Sequence, residues 1–224
     1  MDSEHRRLVE RLQDKNTSGD GSFRYVEGTL GGNHLILTQC GIGKVSAAVG
    51  ASELIRRFSP DCIVSTGVAG GIDACLKVTD VVASQRLVYH DVWCGDGNEY
   101  GQVQGFPASY EGCPSLLRHA LSLNEAGMES RIHSGLVCTG DRFITNRMEL
   151  DTIKQRFPGG LAVDMESAAI AQTCHLYNVP FLSFRIISDT PGVEDHASQY
   201  ADFWGTMAER SFLTIWTFLS TLPS

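Results

Sequence analysis

The amino-acid sequence predicts an α/β protein whose ligand site lies at the carboxyl edge of an open, parallel sheet. Three observations carry that expectation. Short apolar runs alternate with longer amphipathic stretches along the chain, the pattern of strands alternating with helices. The run Phe181 to Ile187 is almost wholly apolar, as a strand covered on both faces should be. Two carboxylates, Glu166 and Asp189, each follow the carboxyl end of a predicted strand, where open parallel sheets bind ligands.

Taken in order, the chain opens on an amphipathic helix with Leu8, Val9 and Leu12 on one side. Asp2 or Ser3 can cap it, and Glu4 in its first turn suits the helix dipole. Lys15 to Ser22 reads as a polar loop, and Phe23–Thr29 and Asn33–Gln39 as a hairpin joined through Gly31-Gly32. Gly41-Ile-Gly-Lys44 opens a helix from Val45 to Phe58. Its spacing is not that of a phosphate-binding Walker loop, and a tight strand-to-helix turn explains it as well as a ligand does. Cys62 to Ser65 is a short buried strand emptying into the turn Thr66 to Gly71, where glycine permits close backbone approach to a ligand. Val78 to Leu87 is another strand. Trp93 to Tyr110, rich in glycine and aromatics without either periodicity, reads as a long loop over a site or a subunit interface.

Pro114 to Leu123 is then a helix, Ser134 to Cys138 a strand, and Arg147 to Phe157 a helix. Leu161 to Val163 forms the next strand. A helix starts at about Met165, with Ala168, Ile170, Ala171 and Cys174 at helical spacing, and Asn178-Val-Pro180 stops it. Beyond Asp189 come a polar loop, Thr190 to Ser198, and a final amphipathic helix from about Gln199 to Leu219. No linker or repeat interrupts this order, so residues 1–224 are expected to form a single domain.

Composition narrows the function. Apolar content of 42% and charged content of 20% are ordinary for a globular chain of 224 residues, so no disulfide staples are needed. A net charge of −8 argues against a nucleic-acid partner held through phosphates. No apolar run is long enough to span a membrane, and the first twenty residues lack the apolar core of a signal peptide. Seven dispersed cysteines suit reduced thiols and a cytoplasmic location.

No Cys-x-x-Cys or His-x-x-x-His pair invites a metal, no Gly-x-Ser-x-Gly elbow marks a serine hydrolase, and no organic cofactor is called for. Cys174 and His175 adjoin but point apart on a helix. Arg185 lies within the most apolar strand, and a buried guanidinium needs an anionic partner, so a polar constellation must surround it. Asp189 as a cap or bridge to that Arg, and Glu166 as a group serving the helix dipole, stand beside the catalytic readings.

Five segments shift that balance. Gly41-Ile-Gly-Lys-Val45, Thr66-Gly-Val-Ala-Gly-Gly71, Thr139-Gly-Asp-Arg-Phe-Ile144, Val163-Asp-Met-Glu-Ser-Ala-Ala-Ile-Ala171 and Arg185-Ile-Ile-Ser-Asp189 occur in this order. Together they resemble the 5′-methylthioadenosine/S-adenosylhomocysteine nucleosidases of the purine nucleoside phosphorylase superfamily, most specifically in the Met-Glu and Ser-Asp segments. The resemblance implies a three-layer α/β/α domain with a mixed, mostly parallel central sheet. It also implies hydrolysis of the N-glycosidic bond of methylthioadenosine, adenosylhomocysteine or 5′-deoxyadenosine.

The resemblance assigns roles residue by residue. Asp189 matches the acid that protonates adenine N7, a role needing a carboxyl that holds or shares a proton, and Ser188 buttresses it. Glu166 matches the group gripping the ribose hydroxyls, and Met165 lies against the sugar. Phe143 stacks on adenine while the backbone of Ile144 reads its edge. Glu4 matches the base that activates water, with Arg185 nearby, and Val68, Ala69 and Gly70 line the pocket. Ile42 and Tyr200 match apolar contacts to the 5′-alkylthio group. A homodimer is implied, in which the loop from about Trp93 to Phe106 completes the neighbour's pocket.

This chain departs from the family pattern at three places. The apolar strand that the family carries before the Met-x-x-Glu segment is not seen here, which would remove a central parallel strand. Val68 stands where a Ser is frequent, disfavouring phosphate and hence phosphorolysis. Asp164 replaces the usual Glu before Met165 and has one methylene less reach. Two other readings stay open: a phosphorylase or futalosine-type hydrolase of the same superfamily, and a nucleoside-binding protein without catalysis.

Overall fold

The computed structural model describes the backbone of residues 2–128, 130–190, 196–204 and 208–222, and the side chains of 5–128, 130–190, 198–204 and 212–222. A first helix, α1 (Asp2–Arg11), leads into a three-stranded antiparallel meander of β1 (Gln13–Asp20), β2 (Phe23–Leu30) and β3 (Asn33–Thr38). The hairpin between β2 and β3 turns at Gly31 and Gly32, with φ of 60° and 90°. Two consecutive positive φ values are what a tight hairpin demands, and glycine supplies them without a steric penalty. The stretch expected to be a polar loop is β1. Its residues are almost all exposed and show no apolar alternation, so backbone pairing to β2 makes it a strand and its side chains do not.

After α2 (Lys44–Phe58) come the strands that carry the site. These are β4 (Ile63–Gly71), β5 (Val81–Tyr89), the short β6 (Tyr110–Glu111), β7 (Ile132–Thr139), β8 (Gly160–Asp164) and β9 (Phe181–Asp189). They lie in the order β6-β5-β7-β8-β4-β9, and β9 pairs back onto β5. The pairs β5–β7, β7–β8 and β4–β9 are parallel, whereas β4–β8, β5–β9 and β5–β6 are antiparallel. The sheet is therefore mixed, as expected, but it is a closed ring and not an open layer. Closure satisfies both edges of β9, every residue of which is buried.

The glycine-rich segment after Ser65 is also strand, not turn, because Thr66 to Ala69 pair with Phe184 to Ile187. Among the described residues no strand precedes α1. Among the described residues the ring and the meander share no ladder, and the outer edge of β3 and the β4 edge from Ile63 to Ala69 have no strand partner.

Helices cover the ring on opposite sides. α2 and α5 (Ser167–Tyr177) pack together over Leu87, Val137 and Ala162. α5 ends at Asn178 in the left-handed conformation, just before Val179-Pro180. On the other side α1, α3 (Pro114–Ser122) and α7 (Ala208–Ser220) bury Leu8, Ala120, Phe212, Ile215 and Phe218 against Phe184 and Ile186 of β9. α4 (Arg147–Arg156) covers a third cluster around Leu136 and Val163. Within the stretch expected to be one C-terminal helix from Gln199 to Leu219, the described residues form α6 (His196–Asp202) and α7, and 205–207 lie outside the described residues. Phe184 is fully buried and stacks on Phe218, with ring centroids 4.8 Å apart. Phe184→Ala is expected to cost about 3–5 kcal/mol, read as a lower urea midpoint with unchanged slope.

Candidate active site

One residue explains where the carboxylates meet. Gly70, near the end of β4, pairs with Asp189 of β9 on one side and Val163 of β8 on the other. Two strands of opposite direction are thereby stitched together at their carboxyl ends. Beside Gly70, a Cβ on Gly71 would sit 3.0 Å from Ile187 Cγ2, so the approach tolerates little bulk.

Around this junction lies a cavity of about 220 Å3. Ser65, Thr66, Val68, Ala69 and Gly70 of β4 line it together with Val163 to Glu166 at the β8–α5 turn and Arg185, Ser188 and Asp189 of β9. Arg142, Phe143 and Ile144 enter from the loop after β7, Cys40 to Ile42 from the turn before α2, and Tyr200 from α6.

The polar heart of the cavity is built on Arg185, whose side chain is only 5% exposed. Its Nε lies 2.9 Å from Asp164 Oδ2, and its Nη2 donates to Ser65 Oγ at 3.1 Å. Nη1 reaches the Thr66 carbonyl at 3.4 Å. Nη2 stands 3.7 Å from Glu166 Oε2, beyond an ordinary hydrogen bond. Glu166 occupies the N-cap position of α5 but makes no capping bond. The helix N–H groups are served instead by Asp164 Oδ1, which accepts from Ser167 N, and by Thr139 Oγ, which accepts from Ala168 N. The capping role considered for Glu166 therefore falls to its neighbours. Glu166 turns to the α2 turn, where Gly43 N donates to its Oε1 at 3.1 Å. Burial holds its carboxyl above the usual value; Arg185 opposes that shift and Asp164 adds to it.

Asp189 is 3% exposed, and Ser188 Oγ donates to its Oδ1. On the opposite wall Phe143 is exposed and meets Tyr200 edge-on at 6.1 Å, while Ile144 beside it is buried. That wall is pinned at its base. Asp141 N donates to Asp91, and Asp141 in turn accepts from Lys44 N at 2.7 Å. Lys44 Nζ closes the clamp on Asp91 at 2.9 Å.

The cavity thus holds Asp189, Arg185, Glu166, Met165, Phe143, Ile144, Ser188, Ile42, Val68, Ala69, Gly70 and Tyr200. Phe106 does not line it; its ring packs against His175 at 6.5 Å on the far side of α5. The side chain of Glu4 lies outside the described residues. Asp164, Thr139, Ser65 and the Lys44–Asp91–Asp141 clamp were not singled out as site residues by sequence reasoning. The buried Arg185, which demanded acceptors, was the signal for Asp164 and Ser65, and it did not point to the clamp.

A sequence profile described as the phosphorylase superfamily matches residues 1–220. The 5′-methylthioadenosine/S-adenosylhomocysteine nucleosidase of Chromohalobacter salexigens is 42% identical over 199 residues, covering 88% of this chain and 85% of that protein. The nucleosidase of the same description from Tolumonas auensis is 36% identical over 223 residues, covering 99% and 96%. Among solved structures, the nucleosidase of Neisseria meningitidis in complex with methylthio-immucillin-A superimposes with a TM-score of 0.93 at 35% identity, covering 99% of this chain and 96% of that one. The Colwellia psychrerythraea nucleosidase in complex with adenine gives 0.92 at 35% identity, covering 99% and 92%.

The raised carboxyl of Glu166 has a measurable consequence for stability. The unfolded chain loses this proton near the ordinary glutamate value of about 4.3, before the folded chain does. Folding is therefore weakened as pH rises from that value through the raised one, and is insensitive to this group above it. Relative to Glu166→Gln, the wild-type unfolding free energy should fall across that window; a flat difference would contradict the assignment.

Proposed function

The chain belongs to the 5′-methylthioadenosine/S-adenosylhomocysteine nucleosidases of the phosphorylase superfamily, and on that footing we propose that it hydrolyses the N-glycosidic bond of these two nucleosides. Water adds to the anomeric carbon of the sugar, the bond to adenine N9 breaks, and adenine leaves with a proton delivered at N7. The observation that carries this reading is the convergence of Asp189, Glu166 and Phe143 on one cavity of about 220 Å3.

In this reading Asp189 is the acid, and the Ser188 hydroxyl orients it. Glu166 accepts from the ribose hydroxyls, whose bonds strengthen as the sugar becomes cationic. Met165 lies under the sugar, Phe143 stacks on adenine, and the backbone of Ile144 reads its edge. Glu4 activates the water beside Arg185, and Ile42 and Tyr200 contact the 5′-alkylthio group. Val68 supports hydrolysis over phosphorolysis, since an apolar side chain lines the cavity where a hydroxyl would help to hold phosphate.

The surface next to the cavity supports the reading of a homodimer. Val45 and Val49 form one stripe along α2, and Leu176 and Tyr177 end α5 beside it, where Tyr177 and Ser52 share a 2.9 Å hydrogen bond. Val45 is 76% exposed and Leu176 60%, with Trp93 and Ile42 also exposed. Apolar side chains gathered in this way mark an interface. A second copy seated there brings its 93–106 loop, with Phe106, to the cavity mouth. The seven free thiols suit a reducing cytoplasm.

Chromatography of methylthioadenosine incubated with the protein should show free adenine at the same rate with and without phosphate. Ribose-phosphate products would point to a phosphorylase, and absence of adenine to a binding protein. Asp189→Asn is expected to lower kcat by about 10² to 10⁴. Glu4→Gln should bind substrate but turn it over far more slowly. Val49→Asp should yield monomers in sedimentation experiments together with reduced activity; an active monomer would overturn the shared pocket.

A further inference from the structure

The carboxylate of Asp164 has no part in the chemistry above, yet it is the hub of the site's polar contacts. Its side chain is 1% exposed. Oδ2 faces Arg185 Nε at 2.9 Å and accepts from Ser167 Oγ. Oδ1 accepts from Thr139 Oγ at 2.6 Å and from Ser167 N at 3.3 Å. Its backbone carbonyl accepts from Gly140 N at 3.0 Å. A single residue thus ties together the guanidinium, the first turn of α5, and the start of the loop that carries Phe143 and Ile144.

We propose that Asp164 is a positioning residue that holds Arg185 away from Glu166 and so keeps the Glu166 carboxylate available to the ribose hydroxyls. This rests on the nucleosidase reading. Two carboxylates stand close to Arg185, the buried Asp164 at 2.9 Å and the partly buried Glu166 at 3.7 Å. With Asp164 neutralised, Glu166 still stands 3.7 Å from that cation, and closing less than 1 Å would make a charge-assisted pair. A closed Arg185–Glu166 pair competes with the sugar for the same oxygens. Removing the Asp164 charge also removes one of the influences that hold the Glu166 carboxyl up, leaving Arg185 to pull it down.

The test compares wild type with Asp164→Asn, Asp164→Glu and Ser167→Ala. It uses calorimetric binding of methylthioadenosine and of adenine, steady-state kinetics, and the pH profile of kcat/KM. For Asp164→Asn, nucleoside affinity should weaken and KM rise by about tenfold or more, the scale of a hydrogen bond to a charged group. Adenine affinity should stay within about threefold, since adenine lacks the sugar that Glu166 grips. The acid limb of the profile should move to lower pH. Asp164→Glu restores the charge and should recover most of the nucleoside affinity.

A folded Asp164→Asn protein with unchanged nucleoside affinity and an unmoved acid limb overturns the proposal. Equal losses for adenine and nucleoside do the same, because they mark general damage to the pocket. Should Asp164→Asn fail to fold, Ser167→Ala decides, since it removes the hydroxyl that steadies both Asp164 and Arg185 Nε while keeping the Asp164 charge. Nucleoside affinity is then expected to fall about threefold, with adenine unaffected, and no change overturns the idea. A wild-type protein that releases no adenine defeats the nucleosidase reading separately, and the binding measurements still test Asp164.

Discussion

A guanidinium placed inside a protein must find acceptors for its hydrogen bonds and an anion for its charge, or the chain does not fold around it. Arg185 imposes that constraint here. It sits on β9, the strand buried along its whole length. Its acceptors come from every direction the ring provides: Ser65 and Thr66 on β4, Asp164 at the end of β8, and Ser167 at the start of α5. These acceptors come from two stretches well separated from each other in the chain, and they meet only when the strands close on one another. Ring closure and the polar site are therefore one problem with one solution.

The closing strand then dictates the shape of what is left open. β4 must approach β9 over its length and touch β8 at its tip, and Gly70 pairs with both. Where the three strand ends part, they leave a cavity whose β4 wall is built of Ser65, Thr66, Val68, Ala69 and Gly70. Asp189 and Glu166 face that space from different elements and with different surroundings. One is steadied by the neighbouring Ser188 hydroxyl, and the other is shared between the α2 turn and Arg185. Two carboxylates in unlike environments suit two different tasks, which is what separating a base from a sugar requires.

The outer layers follow different rules on the two sides of the ring. α1, α3 and α7 bury large aromatic side chains, and Phe184 and Phe218 stack between β9 and α7. α2 and α5 are small-residue helices toward the core, with Ala47, Ala51, Ala168 and Ala171 letting them sit close to the sheet. Their outward stripes stay apolar and uncovered within this chain. The loop from Trp93 onward lies on the same side, with Phe106 against His175 of α5. The covered side stabilises the protomer, and the uncovered side is the one suited to a second copy.

Much of this was legible in the residues themselves. The hairpin at Gly31-Gly32, the helix halted before Pro180, the apolar run of β9 and the Met-Glu and Ser-Asp segments are local patterns, and local periodicity and backbone preference decide them. A demand for partners around Arg185 was also readable, because a buried cation cannot stand alone. Which partners would answer was not. Asp164 looked like a shortened neighbour of Met165, and Glu166 like a group serving its helix dipole or gripping a sugar, until non-local pairing set Asp164 on the guanidinium and brought Glu166 to the α2 turn. The polar strand β1 and the glycine-rich continuation of β4 beyond Ser65 left no signal, since pairing with other backbone makes them strands. Sequence alone determined the elements whose causes lie within a few residues; only the tertiary structure decided register, ring closure and the sharing of one cation between two carboxylates, because each depends on groups that folding brings together.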